Sequence, residues 1–247
     1  MTHTFRKGSP RGSRCLIIAH RGASAVAPES TRAAIRAAVR RGADMIELDV
    51  QMTRDGRLVV FHDDRLQRTT NGRGRVVDAT YAQLARLDAG SWFHAHFARE
   101  RIVLLSEVLR MLPDRMRVNL ELKRTRHGRR LVRRVLQAVR RARMQTRVIL
   151  SSFDAALLER VGPCGMARAL ICQRQPQRSL RQAIRAGYDG WHPKWLLVSP
   201  ALIAQAHAVG LQVNVWTVDD LARARRLRHW GADGIFTNDP AKLRSVR

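Results

Sequence analysis

In the run "IAHRGASAVAPESTRAAI" (Ile18 to Ile35) an apolar stretch ends abruptly in His20 and Arg21, passes through a Pro-Glu-Ser-Thr turn and becomes a helical pattern. Two other stretches place charged residues at alternate positions: Glu47 and Asp49 in "DMIELDV", and Glu121 and Lys123 in "RVNLELK". Alternate residues of a strand point to the same side, so each pair shares a face. Burying two like carboxylates is costly unless a cation compensates them. One hard divalent cation, Mg²⁺ or Ca²⁺, would do so, and Glu47, Asp49 and Glu121 offer it three carboxylates. An internal ion network with Arg21 and Lys123 is the simpler alternative, but it leaves two histidines unexplained. His20 ends one apolar run and His62 closes another, "RLVVFH".

A lone histidine at a strand end is ordinarily structural. Two histidines, three carboxylates, an arginine and a lysine on one face supply what cleavage of a phosphate diester requires. The metal polarises phosphoryl oxygens, the fixed cations offset the spread charge, and the histidines serve as acid and base. Trp216, at the end of "LQVNVWT", is a candidate wall of the substrate pocket, with core or rim packing as its other reading. Trp191 and His192 have the same two readings. No chemistry is assigned to His3, His94, His96, His127, His207 or His229. "TRDG" (Thr53 to Gly56) reads as a hairpin turn, and the basic "TTNGRGR" as a tight turn suited to phosphate contact.

Such residues need a scaffold that brings strand ends together. Eight β-rich runs, "CLIIAH", "DMIELDV", "RVNLELK", "RVILSS", "ARALICQ", "YDGWHP", "LQVNVWT" and "DGIFTN", alternate with amphipathic helical patterns near 30–42, 128–144, 154–162, 178–187, 199–209 and 218–231. Ser30, Asp154 and Asp219 stand at helix starts as candidate caps, and several helices run into Gly, which can take the left-handed cap. The alternation predicts a parallel sheet, and eight strands close a TIM (β/α)8 barrel with its active site at the carboxyl ends of the strands. An open doubly wound sheet is the competing arrangement. More than sixty residues separate the second and third strands. They predict an extra strand or hairpin, a helix around 105–112 and an insertion over one barrel end at about 63–104. Residues 1–14 are expected to be a disordered basic tail, and 15–247 a single barrel domain.

The formal charge is +26, and all but four of the 46 basic residues are arginine. They recur in every predicted helix. "GRRLVRRVLQAVRRARM" sets Leu131, Val132, Val135, Leu136 and Val139 on one stripe and arginines on the other, which reads first as a solvated face. A weak attraction to anionic surfaces and substrates follows; a specific nucleic-acid partner does not. Cys15, Cys164 and Cys172 lack disulfide or zinc spacing, the first apolar run is too short for a secretion signal, and no run is long enough to cross a bilayer. The expected location is the cytoplasm.

"AHRGASAVAPESTRAAI", "GADMIELDVQMTRDGRLVVFHDDRLQRTTNGRG", "LELK", "SSFD", "VNVWTVDD" and "GADGIFTNDP" together resemble the glycerophosphodiester phosphodiesterases, in order and spacing, from Ile17 to Pro240. The likeness is strongest to the short cytoplasmic bacterial form. It implies a TIM barrel that hydrolyses glycerophosphodiesters to sn-glycerol 3-phosphate and an alcohol. It also implies a divalent cation at Glu47, Asp49 and Glu121, acid and base roles for His20 and His62, and phosphate contacts from Arg21 and Lys123. The sequence departs from the family's pattern at Ser30, where asparagine is usual, and at Val103, where proline is common; neither is a proposed catalytic position. A lysophospholipase D and, from another class, a polyanion-binding protein on a repurposed barrel are the alternatives.

Overall fold

The computed structural model describes residues 14–162 and 164–247. Eight strands are parallel neighbours in a closed ring: β1 (Leu16–His20), β2 (Met45–Met52), β5 (Arg117–Leu122), β6 (Val148–Ser152), β7 (Ala167–Cys172), β8 (Gly190–Pro193), β9 (Gln212–Val215) and β10 (Gly234–Thr237). They are the eight runs read from the sequence. The ring is closed by β1, which pairs with β10 on one side and β2 on the other. That double pairing excludes the open doubly wound sheet.

Side-chain alternation divides the apolar residues into layers. Ile18, Met45, Ile149, Ala167, Ala169 and Phe236 pack together inside the barrel. The intervening positions, such as Ile17, Ile46, Leu48, Val118 and Leu120, face outward into the larger clusters beneath the helices. Those helices are α1 (Arg32–Arg40), α3 (Leu105–Met111), α4 (Gly128–Arg141), α5 (Ala155–Val161), α6 (Pro176–Arg185), α7 (Pro200–Ala208) and α8 (Leu221–His229); a short α2 (Tyr81–Leu84) lies in the insertion. On α4, Leu131, Val132, Val135 and Val139 are buried, Leu136 is half-buried, and Arg129, Arg130, Arg133, Arg140 and Arg141 are exposed. The positive charge of that helix is therefore a solvated face, as its periodicity predicts.

Two predicted caps shift by one residue. Thr31, not Ser30, caps α1 by accepting from the Ala34 amide, while Ser30 takes φ +62° in the turn that precedes it. Asp220, not Asp219, caps α8. Asp154 caps α5 as expected. In each shifted pair both side chains are competent caps, and tertiary contacts decide which one is used.

Between β2 and β5 the chain turns at Thr53–Gly56, with Gly56 at φ +81°, and returns as β3 (Leu58–Val60), antiparallel to β2; β4 (Val103–Leu104) then pairs antiparallel with β3. The segment between β3 and β4 has its own apolar centre, with Phe61, Leu66, Val76, Leu84, Ala89 and Ile102 buried together. "TTNGRGR" is a turn within it, where Leu66 N–H donates to Gly74 O and Arg65 bridges Arg75. Residues 1–13 of the expected tail lie outside the described residues. Arg14, assigned to that tail, pairs with Asp44 at 2.6 Å.

Candidate active site

Strand register sets the floor of the site. His20 lies beside Glu47, and Glu47 beside Asn119; one level nearer the mouth, Asp49 lies beside Glu121. One oxygen from each of Glu47, Asp49 and Glu121 falls within 4.8 Å of the others. Lys123 Nζ bridges two of the three, at 2.8 Å from Glu121 Oε1 and 3.3 Å from Asp49 Oδ1.

Arg21 follows β1 in the left-handed region, φ +56°, and Gly22 continues at φ +84°. A Cβ at Gly22 would lie 2.7 Å from the backbone of Ala34 on α1, so only glycine lets the helix pack this close to the turn. The reversal aims the Arg21 amide at Glu47 Oε2 (2.9 Å) and its guanidinium at Glu29 Oε1 (3.0 Å). Arg21 Nε lies 3.5 Å from Asp49 Oδ2, an ion-pair distance without a hydrogen bond.

The carboxylates are nearly free of solvent contact. Glu47 is 4 % exposed and Asp49 1 %, and Glu47 Oε1 and Asp49 Oδ2 have no hydrogen-bond partner. Burial, then the neighbouring Asp49 and Glu121, push the Glu47 carboxyl well above its ordinary range. Burial and Asp49 push Glu121 up to about 7. Burial works on Asp49 too, but Lys123, His62 and Arg21 outweigh it and hold that carboxyl low. Three crowded carboxylates with two orphaned oxygens therefore fit a hard divalent cation: the donors are all oxygen, and protein cations alone leave part of the set uncompensated.

The two histidines are held by different means. His20 Nδ1 lies 2.8 Å from Asn238 Oδ1, just past β10. Asn238 is oriented by Asp219, whose Oδ2 accepts from Asn238 Nδ2 (2.6 Å) and whose Oδ1 accepts from the Asn238 amide and the Thr237 hydroxyl. A carboxylate accepts only from the NH₂ end, so Asn238 presents its oxygen to His20, and His20 Nδ1 must carry the hydrogen. Nε2 is then left with its lone pair. Burial, aided by Arg21, lowers the His20 pKa to about 4, so the ring is neutral at ordinary pH.

His62 follows β3, on backbone pinned by Gln51, whose side-chain amide donates to the carbonyls of Phe61 and Asp63. Its Nδ1 meets Asp63 Oδ1 at 2.5 Å. Arg68 grips both Asp63 oxygens and, through Nη1 and Nη2, both oxygens of Glu29, which in turn holds Arg21. Although burial opposes it, the Arg68 and His62 contacts hold the Asp63 carboxyl down at about 2. The His62 pKa is also lowered, by burial first and by Lys123 and Arg21, with Asp49 and Asp63 opposing.

The eight sequence-derived site residues lie at this mouth, whereas Trp191 is core packing: it is buried beneath the helices and its indole N–H donates to Ser179 of α6. His20, Arg21, Glu47, His62, Glu121 and Trp216 line one cavity, and Asp49 and Lys123 adjoin it through their carboxylate contacts. Trp216 donates its indole N–H to His192 O (2.7 Å) and meets Phe153 edge-on at 5.7 Å, so it both braces the rim and faces the cavity. His192 is buried against Phe236, and burial lowers its pKa to about 3. Residues the sequence reading did not single out are Asn119, whose side chain shares a face with Glu121, Phe153 at the rim, and the supporting Gln51, Glu29, Asp63, Arg68 and Asn238; Asp219 was read there only as a helix cap. Asn119 was available from the same i, i+2 spacing that revealed Glu121 and Lys123.

A barrel whose mouth sets paired histidines and cations around a carboxylate cluster is of the phosphoric diester hydrolase class, and comparison with known proteins narrows this. Residues 20–242 match the model of the glycerophosphoryl diester phosphodiesterase family, and the chain belongs to that family. A glycerophosphodiester phosphodiesterase of Caldanaerobacter subterraneus subsp. tengcongensis is 38% identical over 236 residues, covering 93% of this chain and 96% of the relative. One from Bacillus altitudinis is 35% identical over 243 residues, covering 94% and 97%. Among solved structures, an Oleispira antarctica phosphodiesterase in complex with the product sn-glycerol-3-phosphate superposes with a TM-score of 0.89 at 30% identity, covering 94% of this chain and 96% of that one.

Proposed function

We propose that this enzyme hydrolyses glycerophosphodiesters to sn-glycerol 3-phosphate and an alcohol, with one divalent cation, Mg²⁺ or Ca²⁺, held by Glu47, Asp49 and Glu121. The observation that carries this reading is the meeting of orphaned carboxylate oxygens, two differently held histidines and two cations at one barrel mouth. The product complex of the Oleispira antarctica relative supports the substrate class. When bound, the cation polarises the phosphoryl oxygens and offsets their charge. Arg21, whose Nε makes no hydrogen bond, and Lys123 are the protein's own anchors for the phosphate.

Neutral His20 is the base. Its Nε2 lone pair takes the proton of the attacking hydroxyl, either the glycerol 2-hydroxyl or a water, as the new P–O bond forms. His62 is the acid: the Asp63 carboxylate on Nδ1 supports an imidazolium, and Nε2 passes its proton to the departing alcohol as the other P–O bond breaks. With the glycerol hydroxyl as nucleophile the first product is a cyclic phosphate, which water then opens with the two proton transfers reversed.

The test is release of sn-glycerol 3-phosphate from glycerophosphocholine and glycerophosphoethanolamine by metal-stripped protein, with Mg²⁺, Ca²⁺ or neither restored. Release only with an ion is the expected result; full activity after exhaustive EDTA treatment would remove the metal from the reaction. Among the described residues no helix is long and apolar enough to cross a membrane. Three free cysteines support placing the enzyme in the cytoplasm.

A further inference from the structure

The inner wall of the catalytic cavity is uncharged on the side formed by Ile171, His192, Trp216 and Phe236. A neutral, compact group such as glycerol suits that wall. Beside the catalytic cavity lies a groove that shares Glu121 and Phe153 with it. It runs outward between the loops that follow β5 and β6. Beyond Lys123 its cations are Arg75, Arg124, Arg126 and Arg160, all exposed, and its carboxylates are Asp64, Asp154 and Glu121.

These cations are poorly compensated. Among the described residues, no ion pair within 4.0 Å is formed by Arg75, Arg126 or Arg160. Arg126 donates to the His127 ring and Arg160 to the Ala156 carbonyl, contacts that neutralise nothing. Arg124 reaches Asp154 only at 3.9 Å, and Asp154 is already engaged as the cap of α5. Glu121 belongs to the carboxylate cluster. A cationic head group leaving along this path would meet five cations against three carboxylates, two of which, Asp154 and Glu121, are already engaged.

We propose that this groove is a subsite for the alcohol half of the diester and that it selects alcohols bearing a phosphate. The inference rests on the diesterase reading and adds to it a substrate class: glycerophosphodiesters whose leaving alcohol is itself anionic. Guanidinium groups suit this task because their planar donor sets match phosphate oxygens.

The test compares three diesters that share the glycerol 3-phosphate half and differ in the alcohol: choline, glycerol and glycerol phosphate. In dilute buffer kcat/KM is expected to rise in that order, by about tenfold from the neutral to the anionic alcohol. The R124Q/R126Q/R160Q variant is expected to bring the anionic-to-neutral ratio close to one. A second triple variant, R181Q/R185Q/R225Q, removes the same charge from exposed positions on α6 and α8 and controls for the overall field; it is expected to keep the preference. Equal loss of the preference in both triple variants would show that net charge, not the groove, sets it, and would overturn the subsite. So would turnover of the neutral diester with no preference in the wild type. Failure to cleave any of the three would overturn the diesterase reading itself.

Discussion

The two halves of the active site hold their histidines in opposite ways. On one side His20 sits at the end of a barrel strand, and its partner is a neutral amide, Asn238, which follows the strand that closes the ring and is fixed by Asp219 from the loop after β9. On the other, His62 stands at the edge of an insertion, and its partner is a carboxylate, Asp63, inside the charged chain Glu29–Arg68–Asp63. A neutral acceptor fixes the tautomer and leaves the imidazolium without support. A carboxylate does both, orienting the ring and stabilising its charge. Under the proposed function, that difference separates a base from an acid with the same side chain.

The largest effect should come from removing either ring. His20→Ala and His62→Ala should each lower kcat by about a hundredfold or more; near-normal rates in both would take the histidines out of the reaction. Next in size is Asn238→Ala, which frees the tautomer of His20 and should cost on the order of tenfold in kcat. Since Asn238 carries no charge, the alkaline limb of the pH–rate profile should stay in place, and a shifted limb would break the contrast between the two sides. Asp63→Asn tests the charged side. Its loss lowers the pKa of His62, an acid must hold its proton to work, and so the alkaline limb should move to lower pH while the rate at the optimum changes only a few-fold. Smallest is Arg68→Gln, which leaves the Asp63 carboxylate in place but frees it from Glu29. A drop in kcat of a few-fold, partly restored by Arg68→Lys, is expected; wild-type kcat and pH profile in Arg68→Gln would show the clamp to be ornamental to catalysis.

The same division marks what could be read from the sequence. The barrel and the placement of His20, Glu47, Asp49, Glu121 and Lys123 were legible because strand alternation is a local rule and parallel register puts like positions side by side. His62 could be read as the end of an apolar run. Asn238 was harder: it lies 218 residues from His20, and only closure of the ring makes the last strand a neighbour of the first. Asp219 looked like a helix cap, and nothing local distinguishes it from Asp220, which performs that task. Arg68 was one arginine among many in an arginine-rich chain. Its partners, Glu29 and Asp63, come from two separate loops, so no spacing rule joins them.

The cationic mouth also bears on how the reaction ends. Hydrolysis turns a diester with one negative charge on phosphorus into a monoester carrying nearly two at neutral pH, so under the proposed function Arg21, Lys123 and the rim arginines would hold the product more firmly than the substrate. The same charge is then expected to slow the departure of sn-glycerol 3-phosphate. Added salt, which screens exposed charges over about 10 Å at 0.1 M, should speed turnover at saturating substrate even as it weakens capture of dilute substrate. On that reading the ions around the enzyme, as well as the groups within it, would set how quickly it turns over.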